Sequence, residues 1–151
     1  MFRGVSHIAM DAKGRVAFPA RYREKLGGEE RDPIIVTIDT QARCLLVYPL
    51  SKWEEIEQEI QELPSLNPAV RRFQRLLIGY ASELQFDANG RTLLPQSLRD
   101  YAGLQKKLVL VGQGKKMELW DEASWLAERD KWLEETLDDA ELPEELLGLS
   151  L

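Results

Sequence analysis

The chain has a single cysteine, Cys44, and a single histidine, His7. One cysteine excludes an internal disulfide, and one of each leaves too few soft ligands for a structural zinc site. Cys44 opens the apolar run CLLVY at 44–48, which predicts a buried thiol rather than a nucleophile. Long hydrophobic runs are also missing. No stretch reaches the roughly 18 apolar residues of a membrane span, and the opening MFRG has no signal-peptide character, so the expected location is cytoplasmic with no membrane partner. No glycine-rich phosphate loop precedes a helix, and no nucleophile, base and metal constellation is present. The expectation is a protein that is not an enzyme and that takes no cofactor, metal or small-molecule ligand. Acidic pairs at 138–139 and 144–145 fall in a polar tail, where a solvated run is simpler than a carboxylate site.

What is present is a repeat. DAKGR at 11–15 is followed by Pro19, and DANGR at 87–91 is followed by Pro95, so Asp-x-x-Gly-Arg-x-x-x-Pro recurs at an offset of 76. Arg23 falls on Arg99 and Gly27 on Gly103 at the same offset, whereas CLLVYPLSKW at 44–53 matches KMELWDEASW at 116–125 at an offset of 72. The four extra residues of the first copy fit the polar stretch GGEERDP at 27–33, a difference expected of a surface loop. A half of about 70 residues is near the size at which a core alone is marginal, so the halves should pack on each other or on other chains.

Charge is segregated along the chain. The net charge is −6, yet residues 1–27 carry +4, residues 68–107 carry +4, and residues 118–151 carry −10. The local field at a contact surface governs phosphate binding, so two basic segments suit a nucleic-acid partner despite an acidic total.

Each half predicts the same order of elements, mainly β with short helices (α+β). Extended residues 5–10, a turn, and extended residues 15–18 form a β-hairpin in which Gly14 supplies positive φ and Asp11 accepts bonds from turn amides. Pro19 starts a short helix over 20–26, strands follow at 34–38 and 44–48, and Ser51 with Glu54 makes a capping box for a helix to about residue 62. The second half predicts strands at 82–86 and 91–94, a helix from Pro95, strands at 107–111 and 116–120, and a helix from Asp121. Asp87 and Gly90 take the turn roles of Asp11 and Gly14. Between the halves, Asn67 and Pro68 cap and start a connecting helix, with Val70, Phe73, Leu76 and Leu77 expected to pack on both halves. Arg71, Arg72 and Arg75 form a basic stripe outside, as solvated residues or as phosphate contacts. The resulting division is 1–62, 63–80 for the connecting helix, 81–136, and an acidic tail at 137–151.

In these motifs the chain resembles the MraZ family of bacterial transcriptional regulators. The likeness rests on MFRG at 1–4, both Asp-x-x-Gly-Arg motifs, YPL at 48–50, NP at 67–68, RRFQRLLIG at 71–79, LVG at 110–112 and ELW at 118–120. The resemblance implies two pseudo-symmetric AbrB-like swapped-hairpin β-barrel repeats in one chain. It also implies ring-like homo-oligomers associated with the nucleoid, and binding to short direct repeats in the promoter of the division and cell-wall gene cluster.

A physical route to DNA is also available from the residues themselves. A turn ending in Gly-Arg presents a guanidinium near the tip of a β-ribbon, and the B-DNA major groove admits such a ribbon. Arg15 and Arg91 are therefore the first candidates for base or phosphate contact. Arg3, Lys13, Arg21 and Arg23 are candidate phosphate partners in the first half, with Arg99 as the counterpart in the second. The competing role for Arg15 and Arg91 is pairing with Asp11 and Asp87 to stabilise the turns. A protein-binding scaffold with no specific DNA site is the alternative function.

Overall fold

The computed structural model describes residues 1–27, 32–138 and 142–151. In the first half, β1 (Val5–Ala9), β2 (Arg15–Ala17), α1 (Ala20–Gly27), β3 (Ile34–Ile38), β4 (Leu45–Pro49) and α2 (Leu50–Gln61) follow in order. The connecting helix α3 (Pro68–Gly79) leads to β5 (Ser82–Leu84), β6 (Arg91–Leu93), α4 (Gln96–Ala102), β7 (Lys107–Gly112), β8 (Met117–Asp121) and α5 (Glu122–Asp138), with a short α6 (Glu144–Leu147) in the tail. The mainly β reading with short helices holds. No helix among the described residues is long and apolar enough to cross a membrane.

The strand pairing differs from the expected hairpins. β1 does not ladder with β2; it pairs antiparallel with β7 of the other half, while β5 pairs with β3 and β2 pairs with β6. Only the turn remains local, with an isolated bridge between Met10 and Val16. A lone hairpin of such short strands is marginal, and exchange gives each strand a partner in a larger sheet. The result is one six-stranded antiparallel sheet, β1-β7-β8-β4-β3-β5, with a separate two-stranded ribbon, β2-β6.

That order reads the same from either end when β1 is matched to β5, β3 to β7 and β4 to β8, so the halves are related by a pseudo-two-fold axis. Val16 faces Thr92 in the ribbon and Leu46 faces Glu118 at the sheet centre. These are the pairs matched at offsets of 76 and 72, so the axis passes through both. The registers also relocate the length difference. Ile34 pairs with Pro49 and Leu84, and Leu108 pairs with Asp121 and Ile8, so β3 matches β7 at an offset of 74. Two of the four extra residues therefore precede β3 and two lie in the β3–β4 connection, not all four in the polar stretch.

Alternation along the strands divides the apolar residues between two faces. Ile34, Val36, Ile38, Leu45, Val47, Leu108, Leu110, Met117 and Leu119 face the ribbon and α1 and α4, where Val16, Phe18, Tyr22, Leu94 and Leu98 complete the main core. On the other face, Ile35, Leu46 and Tyr48 pack with Trp53 and Ile60 of α2 and Leu77 of α3. Val109, Val111 and Trp120 meet Cys44 and Trp125 there as well. Cys44 is fully buried, and burial pushes its thiol far above the ordinary range, consistent with an inert side chain.

Two helix expectations are corrected. α2 starts at Leu50 directly after β4, with Pro49 at the N-cap and no side-chain cap bond. Ser51 is then already inside the first turn, and the capping box does not form. α3 does start as expected, with the Asn67 side chain accepting from Ala69 N at 2.9 Å. However, it packs on β3 and α2 of the first half, with Thr37 Oγ1 donating to Leu77 O at 2.7 Å. Phe73 and Leu76 are each 37% exposed instead of bridging the halves.

The axis pair carries a testable cost. Thr92 is 2% exposed, and its Oγ1 has no hydrogen-bond partner, whereas its counterpart is Val16. An unmet buried hydroxyl costs about 1–3 kcal/mol. Thr92→Val should therefore raise unfolding stability by about 1 kcal/mol in a denaturant titration. A lower midpoint for the valine variant would contradict the orphaned hydroxyl.

Candidate nucleic-acid interface

Both Asp-x-x-Gly-Arg segments fold into the same turn. Asp11 N donates to Arg15 O at 2.9 Å and Gly14 N donates to Asp11 O at 3.0 Å, with Asp87, Arg91 and Gly90 repeating the pattern at 2.8 and 3.0 Å. Gly14 has φ of 90° and Gly90 has φ of 74°, a region that penalises a side chain. Asp11 Oδ1 accepts from Lys13 N and Arg15 N at 3.0 and 2.9 Å, and Oδ2 accepts from Arg15 Nε at 2.7 Å. In the second turn Asp87 Oδ1 accepts from Asn89 N and Arg91 N, both at 2.9 Å, and Oδ2 accepts from Arg91 Nε at 3.2 Å. The spacing thus has a mechanical reason: one carboxylate caps two amides and holds the arginine stem.

The backbone amide of Arg15 is the largest cause holding the Asp11 carboxyl below its ordinary 3.8, at about 2, with the Arg15 side chain adding to it. The Arg91 amide lowers Asp87 in the same way. Because the folded value is depressed, the folded turn binds fewer protons than the unfolded chain. Its contribution to order is present above pH 3.8 and is lost as pH falls through about 2. An NMR titration of the Asp11 carboxyl carbon should give a midpoint near 2, with the Lys13 and Arg15 amides losing protection over that range. A midpoint at 3.8 would contradict the capped carboxylate.

The turns sit at opposite ends of the ribbon and show their arginines on one face. In the register Arg15↔Leu93, Val16↔Thr92, Ala17↔Arg91, the buried axis pair points inward and the other four point outward. Arg15 and Arg91 side chains are about one third exposed, at 33% and 32%. The Asp contact engages Nε, so end-on recognition through Nη1 and Nη2 does not compete with it. Both roles considered for each arginine are therefore compatible in one geometry: the ion pair forms and the terminal fork is still presentable. Leu93, 56% exposed, and Ala17 share this face and were not anticipated. The two-residue alternation from Arg91 and Arg15 was the signal that could have found them.

The other candidate cations differ in their surroundings. Lys13 and Arg3 are exposed, at the first turn and the N-terminal segment. Arg21 is engaged locally, donating through Nη2 to Ser6 Oγ at 2.8 Å and Tyr22 OH at 3.1 Å and lying over the Tyr22 ring. Arg23 and Arg99 are half-buried, donating through Nε to Phe18 O and Leu94 O, each at 3.0 Å. Arg71, Arg72 and Arg75 are exposed on α3, across the sheet from the ribbon.

One group of metal-ligand type occurs among the described residues. Asp39, Cys44 and Glu118 have potential ligand atoms within 4.8 Å of one another. Cys44 Sγ donates to Asp39 Oδ2 at 3.6 Å, and Glu118 Oε1 accepts from Trp120 Nε1 at 3.0 Å. Burial raises the Glu118 carboxyl and the Cys44 thiol.

Comparison with known proteins agrees with this duplicated layout. A sequence model of the family described as "MraZ protein, putative antitoxin-like" matches the chain twice, over residues 1–76 and 77–142. The chain is similar to a transcriptional regulator MraZ of Alkalilimnicola ehrlichii, 54% identical over 151 residues. Proteins of the same name from Coxiella burnetii and Legionella pneumophila are 55% and 51% identical over 152 residues. In each case both chains are covered in full.

Proposed function

The chain belongs to the MraZ family of transcriptional regulators, not enzymes, and from that premise we propose that it binds DNA sequence-specifically through the outward face of the β2–β6 ribbon. The observation that carries this reading is the pair of Asp-held arginines, Arg15 and Arg91, on one face of a two-stranded ribbon. A two-stranded ribbon fits the B-DNA major groove, where an arginine fork pairs bidentately with guanine O6 and N7 or meets a phosphate. The proposed targets are short direct repeats in the promoter of the division and cell-wall gene cluster.

Arg3, Lys13 and Arg21 are proposed phosphate partners. One chain makes few contacts, so affinity depends on a ring-like homo-oligomer that places several ribbons on successive repeats. Head-to-tail subunits suit direct repeats better than a two-fold dimer does. The repeats are proposed to span 1–62 and 81–136, joined by 63–80 and followed by the tail at 137–151, with the protein acting in the cytoplasm at the nucleoid.

Fluorescence anisotropy with duplex from upstream of the protein's own gene, beside a shuffled duplex and at several salt concentrations, tests the proposal. The expected result is tight binding to the native duplex alone, with log affinity falling by about 0.9 per neutralised phosphate for each decade of salt. Equal, weak binding to both duplexes would replace DNA reading with the scaffold function.

A further inference from the structure

Arg23 and Arg99 occupy matched positions, and each lies against the turn of the other repeat. A Cβ built on Gly14 would sit 2.7 Å from Arg99 Cζ and 2.8 Å from its Nε. A Cβ on Gly90 would sit 2.6 Å from Arg23 Cζ and 2.8 Å from its Nε. Each guanidinium therefore packs directly on the opposite glycine, in space that only an absent side chain provides. Its orientation is set at home: Arg23 Nε donates to Phe18 O and Arg99 Nε to Leu94 O, both at 3.0 Å. The same carbonyl-bearing residues reach across through their amides, Phe18 N to Gly90 O at 3.2 Å and Leu94 N to Gly14 O at 3.0 Å.

We propose that Arg23 and Arg99 are positioning residues that lock the two arginine-bearing turns to each other, so that Arg15 and Arg91 are presented as one rigid unit of fixed spacing. This deepens the proposed function and rests on it for its consequence at DNA. Three features make the lock reciprocal. The helix of one repeat supplies the guanidinium, the turn of the other supplies the glycine, and the strand end beside that guanidinium bonds the same glycine carbonyl. The glycine of the motif then has two duties, positive φ and room for a planar cation. A lysine cannot replace the arginine here, because it lacks both the Nε donor and the flat group, although it keeps the charge.

This sets positioning apart from the phosphate-contact role that charge alone suggests. A phosphate contact needs the charge, tolerates lysine, and contributes about 0.9 to the salt slope on duplex DNA. A lock needs the shape and contributes nothing to that slope.

The test uses Arg99→Lys and Arg23→Lys in the full chain, with hydrogen exchange measured on the free protein and DNA affinity measured separately. Arg99→Lys should speed exchange about tenfold at the Gly14 and Arg15 amides of the first turn, with a smaller change at Gly90 and Arg91. Arg23→Lys should do the reverse. On a cognate duplex both variants should lose affinity about tenfold with the salt slope unchanged. Loosening confined to the variant's own half, equal loosening of both turns, or no change in exchange would overturn the lock. So would retained affinity in the lysine variants with a slope reduced by about 0.9 in Arg23→Ala and Arg99→Ala, two further variants measured on the same duplex, which identifies phosphate contacts. Crosswise loosening without any loss of DNA affinity, together with native affinity when Arg15 and Arg91 are both alanine, would leave the lock standing and remove Arg15 and Arg91 from DNA reading, so the two failures are distinguishable.

Discussion

Arg15→Ala should weaken binding to the native upstream duplex by about 10- to 100-fold, and Arg91→Ala should do the same, since a bidentate guanine contact contributes about 1–3 kcal/mol. The fold should survive. Asp11 keeps its bonds from the Lys13 and Arg15 amides when the guanidinium is gone, and the Arg15 side chain is one third exposed rather than part of the core. The double variant should reduce binding to that of the shuffled duplex, and in an oligomer the loss is multiplied over every engaged ribbon. Lysine separates the two kinds of contact: it retains charge for a phosphate but lacks the planar fork for guanine. A base-reading position should therefore lose discrimination in the lysine variant while keeping its salt slope. Native affinity in the double alanine variant, with secondary structure intact, would remove the ribbon from the DNA contact.

Gly112→Ala should produce the largest loss of stability. The N-terminal segment lies on the end of β7, where Phe2 N donates to Gly114 O at 2.6 Å, Gly114 N to Phe2 O at 2.8 Å, and Gly112 N to Gly4 O at 2.9 Å. A Cβ on Gly112 would fall 2.5 Å from Arg3 Cα and 2.6 Å from the Phe2 carbonyl carbon, and closer still to Arg3 N. These are backbone atoms, so no rotamer change relieves the overlap. The segment must lift, which exposes Phe2, now 6% accessible within the main core. Overpacking and the uncovered aromatic together cost about 3 kcal/mol, or roughly 6–12 °C in Tm for a chain of this size. A melting curve coincident with the parent would show that the N-terminal segment is not docked there.

The parts of the fold legible in the sequence are those set by local chemistry. Asp, Gly and Arg at fixed spacing specify a capped turn wherever their strands go, and Asn67 with Pro68 starts a helix because the cap needs only the first turn. The same locality hid the strand exchange. A run that suits pairing with its neighbour suits pairing with the other half equally well, and only the packed sheet decides that β1 joins β7. The Ser51 box failed because β4 runs straight into helix at Leu50, a junction that cap propensity does not see. Two of the inserted residues were misplaced because sequence offsets at the motifs bracket a length change without locating it within the β3 surroundings. The partners of Arg23 and Arg99 were out of reach, since each guanidinium's neighbour is a glycine in the other repeat. Composition marked these arginines as cations, and geometry makes them struts.

A structure of the protein bound to a duplex carrying its own upstream sequence would show whether the β2–β6 ribbon is the DNA-contacting surface. The expected complex has the β2–β6 ribbon facing the major groove, Arg15 and Arg91 still held by Asp11 and Asp87, and their terminal nitrogens at hydrogen-bond distance from base edges or phosphates. A duplex lying instead along Arg71, Arg72 and Arg75 of α3, with both turns in solvent, would contradict it.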